Sequence, residues 1–208
     1  MKLGEIKIEA LKLMFVNYVN DIVWSDIKNL KRNPEFDAYL VNMPGSINRC
    51  ISRLEEKRVL PLKSVILDNK KGIITGNLIR FDLSVIADYY DISRLACSCK
   101  EGYFSEVDYI FEGQTIAVKY SEDRQYILIY YPSVERVDSL TDDNTLLAIP
   151  NSIAAFIPYY IKGDLYQEDE PSEAAEAMNW FEQMVNEIKQ KTQSYQTKIK
   201  SIYSITET

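Results

Sequence analysis

The spacing of apolar residues changes twice along this 208-residue chain, and that change constrains its fold more than any motif does. From Leu62 to Val137 the apolar residues fall in short β-branched and aromatic runs separated by turn signals. On either side they recur in steps of three to four. The first pattern suits strands and the second amphipathic helices. The expected fold is α+β: a helical bundle built from the N- and C-terminal halves, with an inserted antiparallel β-sheet subdomain. The boundaries read as 1–61 for the N-terminal helical half, 62–137 for the β insertion, 138–194 for a C-terminal helical hairpin completing the bundle, and 195–208 for an extended tail.

The C-terminal half carries the clearest helix. Pro171 and Ser172 open it, since proline loses no intrahelical bond in a first turn, and Glu173 and Glu176 suit the positive helix end. Ala174, Ala177/Met178, Phe181, Met184/Val185 and Ile188 then form one stripe. A first helix is expected from Ile153 to Tyr166, apolar on more of its surface and so the more buried of the two. Pro158 sits awkwardly within it, so either the helix starts near Ile157 or the chain kinks there. The turn from Gln167 to Pro171 is short enough to demand an antiparallel neighbour. In the last fourteen residues Ile199, Ile202, Tyr203 and Ile205 stand among Thr, Ser and Lys. They form a candidate partner-binding tail for strand addition, the alternative being a frayed terminus.

In the N-terminal half, residues 5–20 place Ile8, Leu11, Phe15 and Tyr18 on one helical face. Asn33-Pro34 marks a turn, Pro44 and Ser46 mark a helix start, and Pro61 marks its end. Ile47, Cys50/Ile51 and Leu54 form the inward stripe, which puts Cys50 in the core. The middle segment predicts an antiparallel sheet of four to five strands, with hairpin loops at 68–72, 100–102, 112–114 and 121–125. Residues 81–91 suggest a helical turn between strands, and 138–145 the exit linker.

Composition removes several chemistries. The chain has no histidine, which excludes His-based serine or cysteine triads and His-containing zinc sites. Cys97 and Cys99 could supply half of a metal site, but no second cysteine pair completes it; two small residues on a strand are the better reading. The acidic clusters at Asp142-Asp143 and Glu168-Asp169-Glu170 lack the alternating spacing of a calcium loop and read as solvated turns. No cofactor, metal or catalytic residue is assigned. Three cysteines and an N-terminus without an apolar signal core point to a reducing cytoplasm, and no apolar run is long enough to span a bilayer. A net charge of −7 opposes gripping nucleic acid by its phosphates. Fifteen tyrosines against seven phenylalanines suit interfaces as well as half-buried positions.

The chain also resembles a known family. Ile149-Pro150 before a first apolar helix, the I-P-Y-Y-I-K-x-x-L-Y segment from Ile157 to Tyr166, an acidic turn and an Ala-rich helix centred on Phe181 are similar to the head–tail adaptor proteins of tailed bacteriophages and prophages. These are also called connector, gatekeeper or head-completion proteins. Y-L-V-N-M-P-G-S-I-N-R-C-I, from Tyr39 to Ile51, resembles such proteins from phages of low-GC Gram-positive bacteria. The resemblance implies a structural virion protein made in the bacterial cytoplasm and placed at the head–tail junction. It implies a ring, commonly of twelve copies, below the portal protein, with a tail or nozzle protein beneath. DNA would pass through the lumen without specific binding. Two other readings compete: a soluble interaction or regulatory module that uses the C-terminal hairpin, and an enzyme working through carboxylates.

Overall fold

The computed structural model of the chain describes residues 1–15, 27–98 and 104–203; for Lys28 and for 191–203 it describes the backbone. Six α-helices and eight strands are formed among the described residues, and every strand pairing is antiparallel. The fold is therefore mixed α+β. It divides into two compact units, one made of Met1–Val59 with Val134–Thr208 and the other of Leu60–Ser133. Among the described residues no helix is long and apolar enough to cross a membrane.

The first unit contains α1 (Leu3–Met14), α2 (Ile27–Leu30), α3 (Pro34–Glu56), α4 (Asn151–Ala154), α5 (Ile157–Leu165) and α6 (Pro171–Tyr203). Asn33 caps α3: its side chain accepts from the Glu35 N–H at 3.0 Å, with Pro34 as the first helical residue. The expected helix start at Pro44 is corrected, because α3 runs straight through it. An interior proline costs about 3 kcal/mol. Phe36, Leu40 and Met43 before it and Ile47, Ile51 and Leu54 after it are all buried, and each contributes about 1.5–3 kcal/mol. The stripe outweighs the break. Cys50 lies on that face, fully buried, and burial pushes its thiol well above the usual range.

The question left open at Pro158 resolves toward a start at Ile157. A separate short turn, α4, precedes it, and Pro158 occupies the first turn of α5. Helix α5 packs against α1, α3 and α6, so nine residues serve three neighbours. Ile157 and Ile161 are fully buried among them, as are Ala174, Phe181 and Val185 of α6. Gly163 sets the approach of α5 to α6. A Cβ added there would meet the Met178 backbone N and Cβ at 3.1 Å each.

Helix α6 is 33 residues long, about 50 Å at 1.5 Å per residue. The extended tail is thereby corrected over most of its length. Ile199, Ile202 and Tyr203 lie in helical backbone, and Ile205 lies outside the described residues. No glycine or proline follows Pro171, so nothing stops propagation, and each added residue gains a backbone bond that weak β preference does not match. The expected helix at 5–20 is α1 as far as Met14; residues 16–26 lie outside the described residues.

Two returns of the chain are fastened by buried ions. The open N–H groups of α1 are met by carbonyls of the 138–145 segment: Leu3 N donates to Thr145 O at 2.9 Å and Gly4 N to Asp143 O at 2.8 Å. The buried Lys7 ammonium donates to Asp143 at 2.6 Å. Asp143 is thus an ion-pair partner instead of a solvated turn residue. At the end of α3 the buried Glu55 carboxylate accepts from the Val134 N–H at 2.8 Å and from Arg136 at 2.5 Å. The two chain segments of this unit are clasped where they part.

The second unit holds two four-stranded sheets instead of the single sheet of four to five strands expected. One has the order β1-β8-β4-β5 and the other β2-β3-β7-β6. The strands are β1 (Lys63–Leu67), β2 (Ile73–Thr75), β3 (Leu78–Asp82), β4 (Tyr89–Ser98), β5 (Phe104–Glu106), β6 (Ile110–Glu112), β7 (Thr115–Lys119) and β8 (Tyr126–Pro132). Residues 81–91 contribute strand at both ends, to β3 and β4, and only turns between. The 68–72 and 121–125 segments connect strands of different sheets, so they are crossovers and not hairpins. Hairpins form at Gly76-Asn77 and Gly113-Gln114, two-residue loops whose glycines take φ of +63° and +68°. Residues 99–103 lie outside the described residues, so Cys99 does too.

Register places one core between the sheets. Ile79 and Phe81 of β3 lie opposite Val118 and Ile116 of β7, and Leu95 and Cys97 of β4 opposite Leu128 and Tyr126 of β8. All eight are buried in one cluster. The Tyr126 hydroxyl donates to Lys119 O, which satisfies a polar tip inside that core. Tyr130 donates to Asp88 at 2.8 Å, and Lys63, with Tyr130 behind it, holds the Asp88 carboxyl below its usual range.

A pair of glycine substitutions tests the α5–α6 crossing. Alanine gains up to about 1 kcal/mol over glycine in an exposed helix interior, so Gly45→Ala, on exposed α3 surface with only the Arg49 guanidinium near its added Cβ, raises stability. Gly163→Ala lowers it by about 1–3 kcal/mol, the cost of overpacking. Thermal unfolding of both variants checks the opposite signs. A pH titration tests the second unit. Burial, with the bond to Asp88 next, pushes the Tyr130 hydroxyl from 10.0 up to about 12. The folded form favours the neutral phenol, so this stability is full below pH 10 and is lost as pH rises through about 12. Tyr130→Phe removes that part of the alkaline loss in a denaturant titration.

Candidate functional site

The helical unit presents an apolar groove of about 500 Å³ where α4 and α5 meet α6. Ala155, Phe156 and Tyr159 supply one wall, and Trp180, Phe181 and Met184 the other. Local sequence explains the opening. Residues 155–156 separate α4 from α5, and the half-buried Phe156 lines the groove at that break. Phe181 turns inward against Tyr160, ring centroids 5.0 Å apart and nearly perpendicular. Trp180, one residue earlier, points away from the stripe and remains 46% exposed; Tyr159 is 36% exposed. A half-exposed indole beside an apolar floor is the composition of a protein-contact anchor.

A second, charged groove of about 390 Å³ lies along α3, lined by Asn48, Arg49, Ser52, Arg53, Glu56 and Tyr160. Its cations are engaged. Arg49 forms a forked pair with Asp164 of α5, and Arg53 and Lys57 reach Glu182 of α6 at 2.9 and 3.2 Å. Burial raises the Glu182 carboxyl, but the bonds from Arg53 and Lys57 more than reverse it and leave it below the usual range. Tyr160 is pushed up, first by burial and then by Asp164. These charges brace α3 on α5 and α6.

An aromatic cluster closes the other end of α5. Phe15 lies 4.8 Å from Phe36 and 5.4 Å from Tyr39, and Tyr166 stands 6.2 Å from Tyr39. Tyr39 donates its hydroxyl to Asp169, and burial followed by that bond raises its pKa. Lys162 sits over the Tyr166 ring and donates to Leu13 O and Glu173. The acidic turn at 168–170 is exposed, yet Asp169 is held in this cluster.

Of the sequence-assigned tail residues, Ile199, Ile202 and Tyr203 are described as helical backbone only, and Ile205 lies outside the described residues. Cys97 is buried with its Sγ 3.4 Å from the Ser105 hydroxyl. Among the described residues no three His, Cys, Asp or Glu side chains gather to hold a metal ion. Trp180 is the residue that sequence reasoning passed over. Its signal was a large aromatic on the polar side of the Ala177–Phe181 stripe. No family model matches the chain, and no curated protein matches it.

Proposed function

We propose that this chain is a structural adaptor of a phage head–tail junction: a helical bundle from both halves of the chain, interrupted by an antiparallel β insertion. It acts by assembling, not by chemistry. Copies stand side by side in a ring, commonly of twelve, below a portal protein and above a tail or nozzle protein. The observation that carries the reading is the Trp180 groove, an aromatic anchor exposed on helices that are otherwise braced by their own ion pairs. The groove receives a neighbouring copy. The residues that carry the family resemblance build its support: Ile149, Ile157, Ile161 and Phe181 are all buried in the helical unit.

The charge balance fits passage of DNA. A net charge of −7 lets a wall repel phosphates, so the duplex slides through a lumen without sticking. A second reading, a regulatory module whose partner fills the same groove, rests on Trp180 as well. Copy number separates the two.

Light scattering of the full chain at rising concentration, alone and with a portal ring, measures this. The expected species has a mass near twelve times 24.1 kDa or adds that mass to the portal. Trp180→Ala weakens assembly at least tenfold while thermal unfolding stays near that of the parent chain. A monomer that ignores portal at every salt concentration, or a Trp180→Ala variant that assembles unchanged, contradicts the proposal.

A further inference from the structure

The β2-β3-β7-β6 sheet ends on both sides in a three-residue strand that is exposed at every position. On β2, Ile73 is 70% exposed and Ile74 50%; on β6, Ile110 is 55% exposed and Phe111 52%. Open apolar edges are a liability that proteins ordinarily blunt with charge or cover. Here both edges of one sheet are left apolar.

Three features of these edges agree on what covers them. The first is direction. Four antiparallel strands alternate, so β2 and β6 run oppositely, and a second copy in the same orientation sets its β2 antiparallel to the first copy's β6. The second is facing. Ile74 pairs with the buried Ile79, and Phe111 with the buried Ile116, so both side chains lie on the core side. Ile73 and Ile110 lie on the other side. A seam between β2 and β6 therefore joins like face to like face. The third is charge. Exposed Lys70 and Lys71 precede β2, whereas exposed Asp108 and Glu112 bracket the apolar pair of β6. A register that sets Ile73 opposite Ile110 brings the 3-10 turn that carries Lys70 and Lys71 to the Glu112 end of β6, where Glu112 also accepts from Arg80 of its own sheet at 3.0 Å. Antiparallel pairing of β2 with β2 would instead set each copy's lysines against the other copy's Gly76-Asn77 turn, away from Asp108 and Glu112.

We propose that the β2 edge of one copy pairs with the β6 edge of the next, head to tail, so that the sheet runs on from copy to copy. Such an interface is heterologous, and it closes when the rotation per copy divides the circle. The proposal rests on the ring reading and names the surface that the β unit gives to it.

Cysteine crosslinking of the full chain tests it. In a Cys99→Ser background, Ile73→Cys and Ile110→Cys are combined in one chain. Within a copy these positions are three strand spacings apart, about 14 Å, too far for a disulfide. The expected result on oxidation is a ladder of dimers, trimers and higher species, with neither single variant giving more than a trace. Lys70→Glu with Lys71→Glu weakens assembly at least tenfold, and adding Glu112→Lys together with Arg80→Glu, which keeps the pair inside the sheet, restores it. An assembly of full mass with no ladder and no response to charge reversal overturns the proposal and leaves the ring standing. Dimers from Ile73→Cys alone overturn it in favour of a two-fold seam. A chain that stays monomeric with and without portal removes both readings.

Discussion

Helix α5 holds the helical unit together because it is short, apolar on most sides and shared by three neighbours. Ile157 and Ile161 vanish from solvent between α1, α3 and α6, so the loss of either would open a cavity facing several helices at once. Gly163 allows the α6 backbone to come within a methyl group's distance at Met178, and Lys162, next in chain, ties the same turn to Leu13 O and Glu173. Burial supplies most of the energy, at about 1.5–3 kcal/mol for each large side chain. The polar contacts decide which arrangement of helices receives it.

The buried ions illustrate that second role. Lys7 with Asp143 and Glu55 with Arg136 gain little against an apolar substitute, yet breaking either leaves a stranded charge at a cost of about 3–5 kcal/mol. Each sits where the chain must return to a helix laid down far earlier in the sequence. The exposed features have a different character. The Trp180 groove and the apolar sheet edges have no such internal partner among the described residues, which is the condition of a surface that meets another molecule.

Much of this was legible in the sequence wherever a residue's own neighbours decide its state. The Ala174–Phe181–Val185 stripe, the inward Cys50 and the alternating β8 follow from local period alone. Other features depend on distant residues. Pro44 stays inside α3 because buried side chains on both sides of it outweigh its own cost. The hairpin of β2 and β3 is too short to show alternation, and its only signal is Gly76-Asn77. Asp143 looks solvated until Lys7, 136 positions away, is brought to it. The isoleucines near the C-terminus carry strand preference one by one, but a helix already running from Pro171 continues through Tyr203. Trp180 was hidden by its position beside a good stripe, which says where the helix packs and nothing about what its outer side meets.

In the proposed assembly identical copies meet through different surfaces, and such an association closes into a ring when the rotation per copy divides the circle. Single-particle electron microscopy of the purified full chain at high concentration views that closure directly. Class averages showing closed rings of one cyclic symmetry, with every copy in the same orientation, are what the account predicts. A field of isolated copies or of two-fold dimers would contradict it.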